Sequence, residues 1–175
     1  MSKATFLYFA YGSNLWSKRI HENNRTALMK AIGLLKDYKL EFGHMSQRWK
    51  GASANILPQP GSNVYGILWE ICSSDLPNLD NQEGVADNIY ERVELTVETL
   101  DGQHVPCMAY KLRKDTREQS TVEHGDKLLP SLRYKNVIIQ GAKEHNLPEE
   151  YITYLENIPD NGYNGVVDVN IPLNL

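Results

Sequence analysis

The segment Ile89-Tyr-Glu-Arg-Val-Glu-Leu-Thr-Val-Glu-Thr-Leu-Asp-Gly-Gln-His-Val-Pro-Cys-Met-Ala-Tyr-Lys-Leu112 decides the fold class. Within Ile89–Thr99, Val93, Leu95 and Val97 alternate with charged or polar residues, the period-two pattern of a strand with one buried face. Asp101-Gly102 marks a tight reversal, and Val105–Leu112 reads as the return strand. A hairpin at this point means antiparallel pairing. Upstream, Thr5–Tyr11, Ala27–Leu35, Tyr38–Phe42, Gly51–Leu57 and Val64–Ile71 also read as strands, with Lys36-Asp37 and Pro58-Gln-Pro-Gly61 as turns between them. Strands in succession, not in alternation with helices, exclude a doubly wound parallel sheet. The expected class is α+β, with a curved, barrel-like mixed sheet flanked by helices.

The helical segments are few. Leu15 to Glu22 reads as a short helix capped by Ser13 or Asn14. A second helix starts near Ser73 and Ser74, accepts Pro77 in its first turn and runs to about Glu83, with Gly84 in place to end it. Leu132–His145 places Val137, Ile138 and Ala142 at helical spacing, and Pro148–Ile158 forms a further helix. Thr116–Lys127 is polar and irregular and reads as a mobile loop. The Gly/Asn-rich stretch Asn161–Leu175 reads as a loosely structured tail. With no repeat, low-complexity tract or linker, residues 1–175 are expected to form one domain.

Composition narrows the function classes. A net charge of −4 and scattered basic residues leave no stripe for nucleic acid. The cluster Lys111, Arg113, Lys114 and Arg117 is diluted by Asp115 and Glu118, as on a solvated surface. No apolar run approaches the ~20 residues that span a bilayer. The start, Met1-Ser-Lys-Ala-Thr, leads into an apolar run too short for a secretory signal. Cys72 and Cys107 sit in strand-like contexts as reduced thiols, in keeping with a cytoplasmic location. The five histidines, His21, His44, His104, His124 and His145, show no metal-ligand spacing. Trp49 and Trp69 read as core or pocket wall. Arg48 and Lys50, beside Trp49, read as solvated charges within reach of a substrate carboxylate.

Two short segments carry chemistry. In Phe9-Ala-Tyr-Gly-Ser-Asn-Leu15 a strand breaks at Gly12 and a helix begins at once. The first N–H groups of such a helix have no partner within it and suit an anion or oxyanion. Simple capping by Ser13 or Asn14 fits the same residues. In Leu79-Asp-Asn-Gln-Glu-Gly-Val85, Glu83 meets the negative end of a helix, and Asp80 stands three residues before it. In a desolvated pocket such a carboxylate would titrate near neutrality, as a general acid/base requires. A solvated surface glutamate fits the spacing as well.

These two segments, with Leu40-Glu-Phe-Gly43, Gly66-Ile-Leu-Trp69, Tyr134, Gly141-Ala-Lys-Glu144, Leu147-Pro148 and Tyr151, resemble the γ-glutamylcyclotransferase family from Phe6 to about Gly165. The triplet Tyr-Gly-Ser alone is weak; the three motifs in this order are fairly specific. The resemblance implies a barrel-like fold, often dimeric. It implies conversion of a small γ-glutamyl-amino acid to 5-oxoproline and a free amino acid, without metal or nucleotide. It makes Glu83 the acid/base and Tyr11, Gly12, Ser13, Asn14 and Leu15 the substrate loop, with Tyr90 and Tyr134 lining the pocket. Position 81 is Asn where some members carry an acid. Relatives acting on glutathione or γ-glutamylamines usually have Tyr-Gly-Ser-Leu or Tyr-Gly-Thr-Leu at the turn; Asn14 points away from both. A ligand-binding protein without turnover is the alternative from another class.

Overall fold

The computed structural model describes residues 2–170; the part of the expected tail at 171–175 lies outside the described residues. Among these, five strands form a closed barrel in the order β1-β3-β2-β4-β5. The strands are β1 (Thr5–Ala10), β2 (Leu28–Ser46), β3 (Gly51–Cys72), β4 (Tyr90–Thr99) and β5 (His104–Leu112). All neighbours are antiparallel except β1 and β5, which run parallel and meet at Tyr8 and Met108. The hairpin read from residues 89–112 is β4–β5, with Tyr90 opposite Leu112 and Glu98 opposite His104. Closure leaves no unpaired edge. Its interior is packed with Phe9, Leu68, Val97 and Ala109, all but excluded from solvent, while Ile67 is buried on the outer face. Each large side chain among them contributes about 1.5–3 kcal/mol by burial.

The upstream strands differ from the expectation. The two segments expected on either side of Lys36-Asp37 are one strand, β2, and those around Pro58–Gly61 are one strand, β3. Asp37 takes φ 63° and the β2–β3 register shifts between Lys36 and Tyr38. The Asp37 carboxylate accepts from Gly61 N at 2.9 Å across the pair. The breakers therefore make a bulge that bends a long ribbon without reversing it, a position that also tolerates proline.

Helices flank the barrel. They are α1 (Ser17–Asn23), α2 (Leu76–Gln82), α3 (Lys114–His124), α4 (Leu132–Glu144) and α5 (Glu149–Glu156). The α3 segment corrects the reading of Thr116–Lys127 as a loop: Lys114–His124 is helical and Gly125–Lys127 adds a 3-10 turn. The helix has only a weak apolar face and is fastened by polar contacts. Arg117 donates to both oxygens of Glu41 at 2.6 and 2.9 Å, and Ser120 Oγ accepts from Met45 N. Ser131 caps α4 through its hydroxyl. Val137, Ile138 and Ala142 face inward as their spacing predicts. Gly141 lets α4 approach the chain at Leu15 and Trp16, since a Cβ there would stand 2.5 Å from Trp16 N. The last residue of α4, Glu144, accepts from Ser17 N and Oγ at the start of α1. Residues Asn161–Asn170 form no helix or strand, yet they are tied down. Arg133 donates to Asn164 O, Asn161 N to Pro130 O and Asp168 N to Arg48 O. No helix is long and apolar enough to cross a membrane among the described residues.

Candidate active site

One cavity of about 470 Å³ opens between the end of β1, the β2–β3 tip and the loop after α2. It gathers residues that sequence reading placed in separate motifs. Tyr11, Gly12, Ser13, Asn14, Glu83, Tyr90 and Tyr134 all line it. Leu15 does not. The 3-10 turn Ser13–Leu15 points Leu15 the other way, where it is 1% exposed in the core behind the turn.

The local sequence explains the turn. Leu15 N donates to Gly12 O and Trp16 N to Ser13 O, which leaves the Ser13 and Asn14 N–H groups without an acceptor inside the turn. Neither Ser13 nor Asn14 caps a helix through its side chain. Asn14 is buried, and its carbonyl and side chain are engaged. Its carbonyl accepts from Trp69 Nε1 at 2.9 Å, its Oδ1 from Gln82 Nε2 at 2.9 Å, and its Nδ2 donates to Tyr8 Oη at 3.2 Å. The turn is thereby braced against the end of α2.

Glu83 is the residue after α2, and its N–H closes the helix on Leu79 O at 3.0 Å. Gly84 follows with φ 64°, a left-handed conformation that suits glycine, and turns the chain so that the carboxylate faces the cavity. No hydrogen bond reaches that carboxylate among the described residues. Part of its surface still meets cavity water, but surrounding protein removes most of its hydration. Desolvation lifts its pKa from 4.5 to about 7, against the opposing pull of Arg19 and Arg48. Asp80, three residues earlier, does not line the cavity. It is turned away, accepting from Tyr110 Oη at 2.6 Å with Arg92 beside it.

Five tyrosines line the cavity, and their protons are not equivalent. Tyr11 donates to Tyr110 O at 2.6 Å, and Tyr110 donates to Asp80. Tyr90 donates to Ala54 O at 2.5 Å and lies 2.8 Å from Ser53 Oγ. Those three protons are committed. Tyr134 Oη accepts from Ala54 N at 3.0 Å, and Tyr8 Oη accepts from Asn14. Neither has an acceptor for its own proton among the described residues, so both can donate into the cavity. Burial raises both phenol pKa values, with Glu83 adding to the rise, and keeps them protonated.

Sequence reading missed Tyr8, Tyr110 and Arg19. Tyr8 and Tyr110 sit on buried strands, where a tyrosine reads as core. Arg19 reads as the solvated face of a short helix but is 3% exposed, stacked over Trp49 and paired with Glu22. A tyrosine three residues before the Tyr11-Gly-Ser-Asn14 turn was the available signal for Tyr8. For Arg19 the sequence holds no such signal.

The comparisons with known proteins agree with the geometry. The model of the AIG2-like family matches residues 63–155. A γ-glutamylcyclotransferase of Mus musculus is 41% identical over 167 residues, covering 93% of this chain and 84% of the relative. One from Homo sapiens is 40% identical over 171 residues, covering 95% and 86%. A solved structure of a γ-glutamyl cyclotransferase superposes with a TM-score of 0.85 at 39% identity, over 94% of both chains. A glutathione-specific cyclotransferase from yeast shares the fold at a TM-score of 0.58 and 12% identity, covering 87% of this chain and 94% of that one. With matches of this extent and identity on a barrel that carries both motifs, the chain belongs to the γ-glutamylcyclotransferase family.

Proposed function

We propose that this protein is a γ-glutamylcyclotransferase that converts γ-glutamyl-amino acids to 5-oxoproline and a free amino acid, with Glu83 as general acid/base. The observation that carries the reading is the Glu83 carboxyl group, whose pKa burial raises to about 7 and which has no hydrogen-bonding partner among the described residues, in the cavity that the Gly12–Asn14 turn also lines.

The reaction follows from these parts. The substrate's α-ammonium group must lose a proton before its nitrogen can attack the γ-carbonyl carbon. The Glu83 carboxylate takes that proton. The new C–N bond closes a five-membered ring and places negative charge on the former carbonyl oxygen. Protonated Glu83 then donates to the nitrogen of the γ-amide, whose C–N bond breaks as the oxyanion collapses, and the regenerated carboxylate takes the second proton of the ring nitrogen and passes it to the released amine. A single group near neutrality serves all these transfers. Confinement of a folded glutamyl chain in the cavity supplies the orientation that an intramolecular attack needs. The Ser13 and Asn14 N–H groups and the Tyr8 and Tyr134 hydroxyls are the donors for the oxyanion and the substrate's α-carboxylate. Tyr90 acts indirectly, by holding the carbonyl of Ala54, the residue whose N–H donates to Tyr134.

We further infer a cytoplasmic, homodimeric enzyme. The two free thiols support the first, and burial pushes Cys107 up to about 11, away from thiolate reactivity. The family resemblance supports the second. The direct test is 5-oxoproline release from γ-glutamyl-alanine by the wild type beside Glu83→Gln. Release by the wild type alone is expected; equal release by the variant would remove Glu83 from the mechanism.

A further inference from the structure

We infer that Arg48, with Arg19 behind it, forms a subsite for the α-carboxylate of the departing amino acid, and so selects γ-glutamyl-amino acids over γ-glutamylamines. The inference rests on the cyclisation proposed above and names a feature of its substrate.

A second cavity of about 270 Å³ adjoins the first. Arg19, Arg48, Asn81 and Gln82 line both, so they form the wall between them. A ligand extending from Glu83 toward the second cavity passes the two guanidinium groups. Arg19 is buried, yet among the described residues its Nε has no hydrogen-bond partner, and its Nη1 donates to Glu22. Arg48 is exposed at the wall. Its one hydrogen bond is a long one, 3.4 Å from Nη1 to Gln82 O, and it forms no ion pair with a carboxylate among the described residues. The acids nearby are accounted for. Glu22 lines the second cavity but is held by Arg19 and by Asn170 N. Asp168 lines it too, yet it meets Arg48 only through its own N–H, which donates to Arg48 O at 3.0 Å. The Arg48 guanidinium fork therefore stays open for an anion, the geometry that suits a carboxylate.

The chemistry fixes which carboxylate. The departing nitrogen receives its proton from Glu83, so it leaves on the side of Glu83. In an amino acid the carboxylate carbon is two bonds from that nitrogen. Gln82, whose carbonyl Arg48 touches, is the residue before Glu83. A carboxylate beside the departing nitrogen is therefore directed toward this guanidinium, and an amine without the carboxylate leaves the arginine unpaired.

The test compares γ-glutamyl-alanine with γ-glutamyl-ethylamide, which lacks only the carboxylate of the departing group. The wild type, Arg48→Met and Arg48→Lys are assayed for 5-oxoproline. The ratio of kcat/KM between the two substrates should fall by about tenfold or more in Arg48→Met, mainly through KM for γ-glutamyl-alanine, as expected for the loss of a charge-assisted hydrogen bond. Arg48→Lys should restore part of it. Any change that Arg48 exerts through Glu83 acts on both substrates and cancels in the ratio. An unchanged ratio, or equal losses on both substrates, would overturn the subsite and leave the cyclotransferase reading intact. Wild type inactive on both would overturn that reading and this inference with it.

Discussion

Glu41 and Glu83 occupy the same barrel protein and face opposite fates. Glu41, on β2, is 16% exposed and accepts two hydrogen bonds from Arg117 and one from Asn55 Nδ2 at 2.7 Å. Asn55 in turn accepts from Leu112 N, so the group ties α3 to the barrel wall. Glu83 is crowded by protein but has no hydrogen bond to its carboxylate among the described residues. A buried charge that is fully paired fixes structure, whereas one left unpaired raises its pKa and retains a proton to exchange. The difference separates fastening from chemistry more sharply than residue type does.

The largest expected effect lies at the unpaired acid. Glu83→Gln should lower kcat/KM for γ-glutamyl-alanine by about a thousandfold, within the range of a lost general acid/base. The same variant should be more stable than the wild type at pH 8. Glu83 titrates at about 7 when folded against an ordinary 4.5, so the folded state favours the protonated form. Its cost to stability is absent below about pH 4.5, grows as pH rises through that window and is complete above about 7. With allowance for cavity water, the gain on substitution is about 2 kcal/mol at pH 8 and fades by pH 5. Urea unfolding at the two pH values measures it. A variant that is inactive and also less stable at pH 8 would place Glu83 with the structural acids.

The fastened acid should behave in the opposite way. Arg117→Ala removes two of the three hydrogen bonds to Glu41 and should cost about 2 kcal/mol of stability, measured by urea unfolding, through the carboxylate left behind. Its kcat/KM should stay within about threefold of wild type, because α3 contributes no residue to the cavity lining. A loss of activity comparable to that of Glu83→Gln would erase the distinction between the two regions.

The contrast also marks what the sequence could reveal. Alternation at Val93, Leu95 and Val97 with Asp101-Gly102 was sufficient for the β4–β5 hairpin, because it reports a local period and a local turn. The bend at Asp37 opposite Pro58–Gly61 was not legible as a bulge: the same residues reverse a chain or kink a strand, and the partner across the sheet decides which. Helix α3 was misread because polar ties to Glu41 and Met45 hold it in place of an apolar stripe. At the site, Gly84 after Glu83 announced the helix end that aims the carboxylate. The first cause of the raised pKa is desolvation, which the sequence reading made its condition, whereas Asp80, three residues earlier, is turned to Tyr110. Leu15, in the expected substrate loop, packs in the core behind the turn, because a 3-10 turn sends adjacent side chains to opposite sides. Tyr8 and Arg19 are brought to the cavity by long-range packing against Tyr110 and Trp49, which no local pattern encodes.

The smallest expected effects test the same contrast among tyrosines. Tyr11 has committed its proton to Tyr110 O, whereas Tyr8 receives from Asn14 and keeps its own proton for the cavity. Tyr11→Phe should therefore cost about 1 kcal/mol of stability, the worth of a buried hydrogen bond, with little change in kcat. Tyr8→Phe should lower kcat by about tenfold, since a donor to developing charge acts in the transition state more than in the ground state. It should leave KM nearly as it was. Both variants keep the aromatic ring, so the packing of Tyr8 against Tyr110 and of Tyr11 against Phe9 is retained and the comparison isolates the hydroxyl. If Tyr11→Phe lost turnover and Tyr8→Phe lost only stability, the accounting of protons in the cavity would be inverted, and the oxyanion donors would have to be sought at the Ser13 and Asn14 N–H groups and Tyr134 alone.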